Sequence, residues 1–296
     1  MTLDIKKNQP LKNHTTFKVG GPAEYFYEAK TREDLIKAIA YARDKKIPFM
    51  ILGAGSNILV SDKGLKGLVI KNQVSKITVL KDGLVEIDSG VRLPLAIFSL
   101  LNQDLTGLEH FVGIPGTIGG ATYMNIHGGN KFFADYIVSA KILDENNQVK
   151  TVDNNYFNFK YDYSKLHDNN HILLSVILKL KPEPGQKAKT SAQEKLKNKS
   201  HHPQKSAGCI FQNLTKEEQK KLKLPYPSIG YIIDKVLTLK GTTIGDASIS
   251  TNHAGFIENL GQATASDILK LINLIKTKAK QKLDLDLKLE IETLGF

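Results

Sequence analysis

The stretch Gly113-Ile-Pro-Gly-Thr-Ile-Gly-Gly-Ala-Thr-Tyr-Met-Asn125, running on through Ile126-His127-Gly128-Gly129, constrains this chain more than any other. It places six glycines in seventeen residues. Glycine permits positive φ and close backbone approach. A turn built from Gly113, Pro115, Gly116, Thr117, Gly119 and Gly120 leaves backbone N–H groups facing outward, and such groups can line an anion-binding hollow. The alternative is a tight, buried connection between two strands. The density of glycine favours a phosphate or cofactor cradle.

A second turn lies upstream, Gly53-Ala-Gly-Ser-Asn57. It resembles the opening of a dinucleotide fingerprint but lacks the third glycine. Ile58-Leu-Val60 continues as strand where a helix should begin, and a Rossmann site needs that helix N-terminus for the pyrophosphate. No Gly-Lys-Ser/Thr step is present, which excludes a P-loop. Gly53, Gly55, Ser56 and Asn57 can bond phosphate oxygens, or simply close an Asx or Ser turn. Taken with the Gly113–Gly129 stretch, this turn points to one dinucleotide gripped by loops from two subdomains.

Around these turns the chain reads as α+β. Thr31 with Asp34 caps a helix running through Lys45, and Pro48–Leu52 is a buried strand. Residues 15–22 and 24–28 read as strand. Asp82-Gly83 closes a hairpin over 77–87, and a second hairpin spans 138–152. Thr264 with Asp267 caps a long helix through Lys282, and the chain closes on a strand, Leu287–Ile291. Pro182-Glu-Pro-Gly185 is the clearest boundary. It divides the chain into residues 1–182, with subdomains of about 1–70 and 71–182, and a C-terminal domain of 183–296.

Charge and composition narrow the function classes. The formal net charge is +11, carried by lysine, with only three arginines, Arg32, Arg43 and Arg92. No dense basic block with interleaved aromatics is present and tryptophan is absent, which argues against nucleic acid. Phosphate-bearing small molecules suit a lysine-rich surface better. No window reaches a membrane span, and the first residues lack the apolar core of a signal peptide. The single cysteine, Cys209, fits a reducing cytoplasm. His201 and His202 read as loop residues, with no ligand spacing for zinc.

Gly53–Asn57, the Gly113–Gly120 run with Met124-Asn125, Ser206-Ala-Gly-Cys-Ile-Phe211 with Asn213, and His253-Ala-Gly-Phe-Ile257 occur in that order. With these motifs the chain resembles the UDP-N-acetylenolpyruvoylglucosamine reductases, in their shorter form, from about Leu11 to Gly295. The resemblance implies an FAD-binding domain of the vanillyl-alcohol-oxidase type in two α+β subdomains, followed by an α+β domain for a UDP-sugar. NADPH would reduce the flavin, and the enolpyruvyl ether would then be reduced to a D-lactyl ether in cell-wall precursor synthesis. Both glycine loops, with Asn125, would hold FAD. Neither metal, nucleic acid nor membrane is implied, and a monomer is expected.

The same resemblance assigns chemistry. Cys209 stands where the family carries its proton donor, a serine or cysteine. A thiol with a pKa near ~8.5 is an acid at neutral pH; the alternative for a lone cysteine is a small buried apolar residue. Asn213 and Tyr161 would bind substrate. Glu290 would serve the substrate carboxylate region or a proton relay; as a bare residue it reads as a solvent-facing strand position sharing a face with Lys288 and Glu292. One departure stands out. In Phe159-Lys-Tyr-Asp-Tyr-Ser164, Asp162 occupies the place of the family's arginine, which orients the carboxylate. A carboxylate there repels developing negative charge, and Lys160 or Lys165 is no planar bidentate donor. The second reading is therefore a flavin- or UDP-sugar-binding homologue with weak or no reductase activity.

Overall fold

The computed structural model describes residues 3–199 and 201–296. Two compact units emerge. The first gathers Met1–Lys6, Phe26–Ala54 and Gly67–Ser200; the second gathers Lys7–Tyr25, Gly55–Lys66 and His201–Phe296. The boundary expected at Pro182 falls inside the first unit. Lys181–Pro182 pairs antiparallel with Leu105–Thr106. The Gln186–Asn198 helix that follows buries Ala192 in the same core. The prolines and Gly185 punctuate the chain there, but the helix beyond them still needs an apolar surface to cover, and finds it in this unit.

In the first unit, the helix Arg32–Asp44 begins at the expected capping box of Thr31 and Asp34 and buries Leu35, Ala38, Ile39 and Ala42. Phe49–Leu52 and Leu65–Asn72 pair in parallel, Phe49 opposite Leu68 through Leu52 opposite Lys71. A five-stranded antiparallel sheet follows, in the order Val149–Asp153, Ile137–Leu143, Ile172–Lys179, Leu84–Asp88, Ile77–Val79. Its hairpin turns on Asp82 and Gly83, at φ 57° and 71°, the two positive values a type I′ turn requires. The helix Leu93–Leu101 packs Ile97 and Leu100 into a core with Val85, Ile87, Val176 and Leu178. Arg32 binds this sheet's Asp88 at 2.5 Å and Glu86 at 2.8 Å, so the small parallel layer is ionically tied to the larger one.

The second unit is built on the helix Ala265–Leu283, which buries Ile268, Leu271, Ile272 and Ile275 at helical spacing. The expected box of Thr264 and Asp267 caps it. Asp62 adds a second cap, its two carboxylate oxygens accepting from Ala265 N and Ser266 N at 2.9 Å each. A three-stranded sheet joins Thr243–Ile244, Ala247–Ile249 and Ile257–Asn259. Phe17, Val19 and Leu59 complete this core.

Two strand expectations are corrected. Residues 15–21 form no strand: Leu11–His14 is a 3-10 turn, Thr15 Oγ1 donates to Val19 O at 2.9 Å, and Lys18 sits at φ 59°. The C-terminal strand is Glu292–Leu294, paired in parallel with Ile58–Val60. Leu287–Ile291 makes only a single bridge, Leu289 opposite Phe211, because the ladder partner Ile58–Val60 begins further along. Glu290 therefore shares no strand face with Lys288 and Glu292. Among the described residues no helix is long and apolar enough to cross a membrane.

Candidate functional site

The glycine stretch is only half a turn. Ile118–Tyr123 is a short α-helix, opened by Thr117, whose Oγ1 accepts from Gly120 N at 3.2 Å. Two glycines in a helix each cost about 1 kcal/mol against alanine, which is why the sequence reads as a loop. Packing explains Gly119: its N–H donates to Ser89 O at 2.7 Å, and an added Cβ would lie 2.9 Å from that oxygen. The turn proper is Gly113–Gly116, with Gly113 at φ 82° and Gly116 at φ 153°. The N–H groups of Gly113, Gly116 and Thr117 meet no acceptor among the described residues. Gly113, Pro115 and Gly120 are exposed.

Gly53 adjoins this cradle. A Cβ on Gly53 would stand 2.7 Å from Thr117 Oγ1, so the two glycine-rich loops touch within the first unit. Lys71 Nζ fixes the Gly53 carbonyl at 2.5 Å. Glycine backbone and open amide donors are what a dinucleotide phosphate requires. The residues fit that group.

Asn125 follows the short helix. It is buried, at φ 45°. Its Nδ2 donates to Lys160 O at 2.9 Å and its Oδ1 accepts from Ala134 N at 3.0 Å. The amide braces the loop that carries Tyr161 and Asp162. Asp162 lies at φ 50°, a region Asp tolerates better than most residues. Its side chain is only 5% exposed, and its Oδ1 lies 3.7 Å from His127 Nδ1. Tyr161 Oη sits 3.4 Å from His127 Nε2, with the rings 4.8 Å apart. The Asp162 carboxylate thus has an imidazole as its immediate neighbour.

The second unit assembles the other candidates. Gly55 is at φ 67°, and a Cβ there would fall 2.2 Å from His14 O; its carbonyl accepts from Thr16 N at 3.0 Å. Ser56 and Asn57 follow. Asn57 Nδ2 donates to Glu290 O at 3.0 Å, and Asn57 O accepts from Glu292 N at 2.9 Å. Glu290 N in turn donates to Ile210 O at 2.9 Å, beside Cys209. A Cβ on Gly255 would lie 3.2 Å from Cys209 Sγ and 3.1 Å from His253 Nδ1. Burial, with the Glu290 carboxylate adding to it, pushes the Cys209 thiol up to about 12. The group stays protonated at neutral pH, an acid that keeps its proton until a strong base forms beside it. Burial pushes the His253 imidazole down, so it is held neutral.

Asn213 Oδ1 accepts from Ile229 N at 3.0 Å, which anchors the start of the short helix Ile229–Tyr231. His202 packs its ring 5.0 Å from that of Phe256. Among the described residues no three His, Cys, Asp or Glu side chains converge as metal ligands.

Cys209, Glu290 and Asn57 come together in the second unit; Gly53, Gly113, Gly116 and Thr117 come together in the first. Sequence reasoning missed Lys71 and Lys199, whose ammonium groups reach the two glycine loops. Neither sits in a recognisable spacing: Lys71 lies on the strand paired with Phe49–Leu52, and Lys199 arrives from beyond the Gln186–Asn198 helix.

A family model described as "FAD binding domain" matches residues 23–153. Another, described as "UDP-N-acetylenolpyruvoylglucosamine reductase, C-terminal domain", matches residues 199–294. The UDP-N-acetylenolpyruvoylglucosamine reductase of Caldanaerobacter subterraneus subsp. tengcongensis is 36% identical over 299 residues, covering 97% of this chain and 93% of its own. That of Chlamydia muridarum is 34% identical over 281 residues, covering 94% and 90%. The crystal structure of the Thermus caldophilus UDP-N-acetylenolpyruvylglucosamine reductase superposes with a TM-score of 0.81 at 33% identity, covering 100% of both chains. With both family models matched and full-length relatives above 30% identity, the chain belongs to the UDP-N-acetylenolpyruvoylglucosamine reductase family.

Proposed function

We propose that this protein is an FAD-containing, NADPH-dependent reductase that converts UDP-N-acetylglucosamine enolpyruvate to UDP-N-acetylmuramate, a precursor of peptidoglycan. The observation that carries the reading is the convergence of Cys209 and Glu290 in the second unit, in a chain of this family. FAD, when bound, supplies the hydride chemistry. Gly53, Gly113, Gly116 and Thr117 offer it bare backbone and amide donors. Cys209 holds a proton at Sγ and delivers it to the substrate carbon that becomes basic once its neighbour has been reduced. Glu290 lies beside that thiol and is held from behind by Asn57. Its carboxylate disfavours a thiolate, which keeps the acid loaded. Tyr161 and Asn213 are the residues expected to bind the substrate. The reaction takes place in the cytoplasm, in a monomer that needs no metal.

The test uses purified protein. Bound flavin should show in the visible absorbance, and NADPH oxidation should depend on added enolpyruvyl sugar nucleotide. Flavin without substrate-dependent oxidation would favour the weakly active homologue, for which the buried Asp162 is the structural argument. Absence of flavin would overturn both readings.

A further inference from the structure

Lys199 follows the Gln186–Asn198 helix. Its Nζ donates to Val112 O at 2.9 Å, the residue just before the cradle. Its stem crosses the face of Gly113: a Cβ there would lie 2.6 Å from Lys199 Cδ and 3.3 Å from Nζ. The ammonium therefore stands at the lip of the Gly113–Thr117 turn, beside N–H groups that have no acceptor among the described residues.

The charge balance of this group is incomplete. It is half-buried, and burial together with Lys195 lowers its pKa. Among the described residues no carboxylate acts in the opposite direction. Removing a cation from water without a counter-ion is costly. A single carbonyl satisfies one of the three ammonium donors. An aliphatic side chain would fill the space over Gly113 as well, without that cost. A cation held at the mouth of unfilled amide donors is a diphosphate-binding arrangement, with lysine acting as a point charge.

We propose that Lys199 is the ionic contact for the diphosphate of FAD in the Gly113–Thr117 cradle. The proposal rests on the flavin reading above. It makes Lys199 a cofactor-positioning residue placed at the end of the helix that follows the Pro182–Gly185 break.

Lys199→Met and Lys199→Arg would be compared with wild type by titrating deflavinated protein with FAD and with riboflavin, which carries no phosphate. Charge-assisted hydrogen bonds of this kind correspond to roughly 10- to 100-fold in affinity. Lys199→Met is expected to weaken FAD by that factor, to leave riboflavin affinity unchanged, and to flatten the salt dependence of FAD binding. Lys199→Arg is expected to restore most of the loss. Equal weakening of FAD and riboflavin would show a merely structural role and overturn the proposal. Unchanged FAD affinity with a raised KM for NADPH would also overturn it, assigning the lysine to the reductant. A wild-type protein that takes up no FAD would defeat the flavin reading itself.

Discussion

Asn57 Nδ2 holds the backbone carbonyl of Glu290 at 3.0 Å. A residue of the first glycine turn and a residue six positions from the C-terminus are thus one structural unit. The turn does more than offer donors to a ligand; it sets where the acidic partner of Cys209 stands. Asn57→Ala should lower turnover through Glu290 while leaving flavin content largely intact. Flavin loss in proportion to activity would show that Asn57 acts on the cofactor instead.

Cys209→Ala should retain reduction of the flavin by NADPH and lose reoxidation by substrate, by roughly 10²–10⁴-fold. Stopped-flow flavin absorbance separates the two half-reactions. Cys209→Ser should keep part of the second. Reoxidation by Cys209→Ala at the wild-type rate would remove the thiol from the chemistry.

The raised thiol also predicts a pH effect on stability. The folded state binds this proton more tightly than the unfolded chain does, so the contribution is complete below the ordinary thiol range, near ~8.5–9. It is lost as pH rises from there toward about 12. Between pH 8 and 10 wild type should lose more thermal stability than Cys209→Ser. Parallel melting curves for the two proteins would contradict the buried, protonated thiol.

Asp162→Arg would install the arginine that the family resemblance leads one to expect, and on the sequence alone turnover should then be faster. The structure predicts the reverse for stability. The new side chain must adopt φ 50°, which costs most residues about 1–2 kcal/mol, and it would place a cation against His127 where an anion now sits. The melting temperature should fall by several degrees, and turnover should fall rather than rise. A gain in turnover at unchanged stability would mean that Asp162 is a simple lesion.

Gly55 and Gly129 provide a matched pair. Both have φ near 66°, at 67° and 65°. A Cβ on Gly129 meets nothing within 4 Å, whereas one on Gly55 falls 2.2 Å from His14 O. Gly129→Ala should cost about 1 kcal/mol from backbone strain. Gly55→Ala should cost a further ~1–3 kcal/mol from the clash, read as a lower midpoint in denaturant. Equal costs would show that the His14 loop yields.

Asp62→Ala removes both carboxylate bonds to the Ala265–Leu283 helix start. Loss of such a cap costs about 1–2 kcal/mol. Thermal stability should drop while FAD affinity is unchanged. A change in FAD affinity would connect this helix to the cofactor.

The sequence was most legible where one local rule decides the outcome. Thr31 with Asp34 and Thr264 with Asp267 announced their helices because a capping box is complete within four residues. Asp82-Gly83 announced its hairpin for the same reason. The helix at Ile118–Tyr123 was hidden because Gly119 serves contact with Ser89 rather than helix propensity. The last strand was misplaced because Glu292–Leu294 takes its register from Ile58–Val60, more than two hundred residues away. The motifs pointed to Cys209 and the glycine turns as candidates, but not to Lys71 and Lys199, whose ammonium groups bond backbone carbonyls at those turns. Lys71 and Lys199 belong to elements with other duties, and a lysine among 41 basic residues carries no signature of its own.

The chain crosses between its two units five times, after Lys6, Tyr25, Ala54, Lys66 and Ser200. This has a consequence for how the protein is made. Phe17, Val19 and Leu59 leave the ribosome early, yet the core they join is supplied by the last hundred residues. At about 5–20 residues per second, those apolar side chains wait on the order of ten seconds or longer for their partners. Expression should therefore depend on what shields that early segment during translation, and a fragment beginning after residue 182 should precipitate rather than fold.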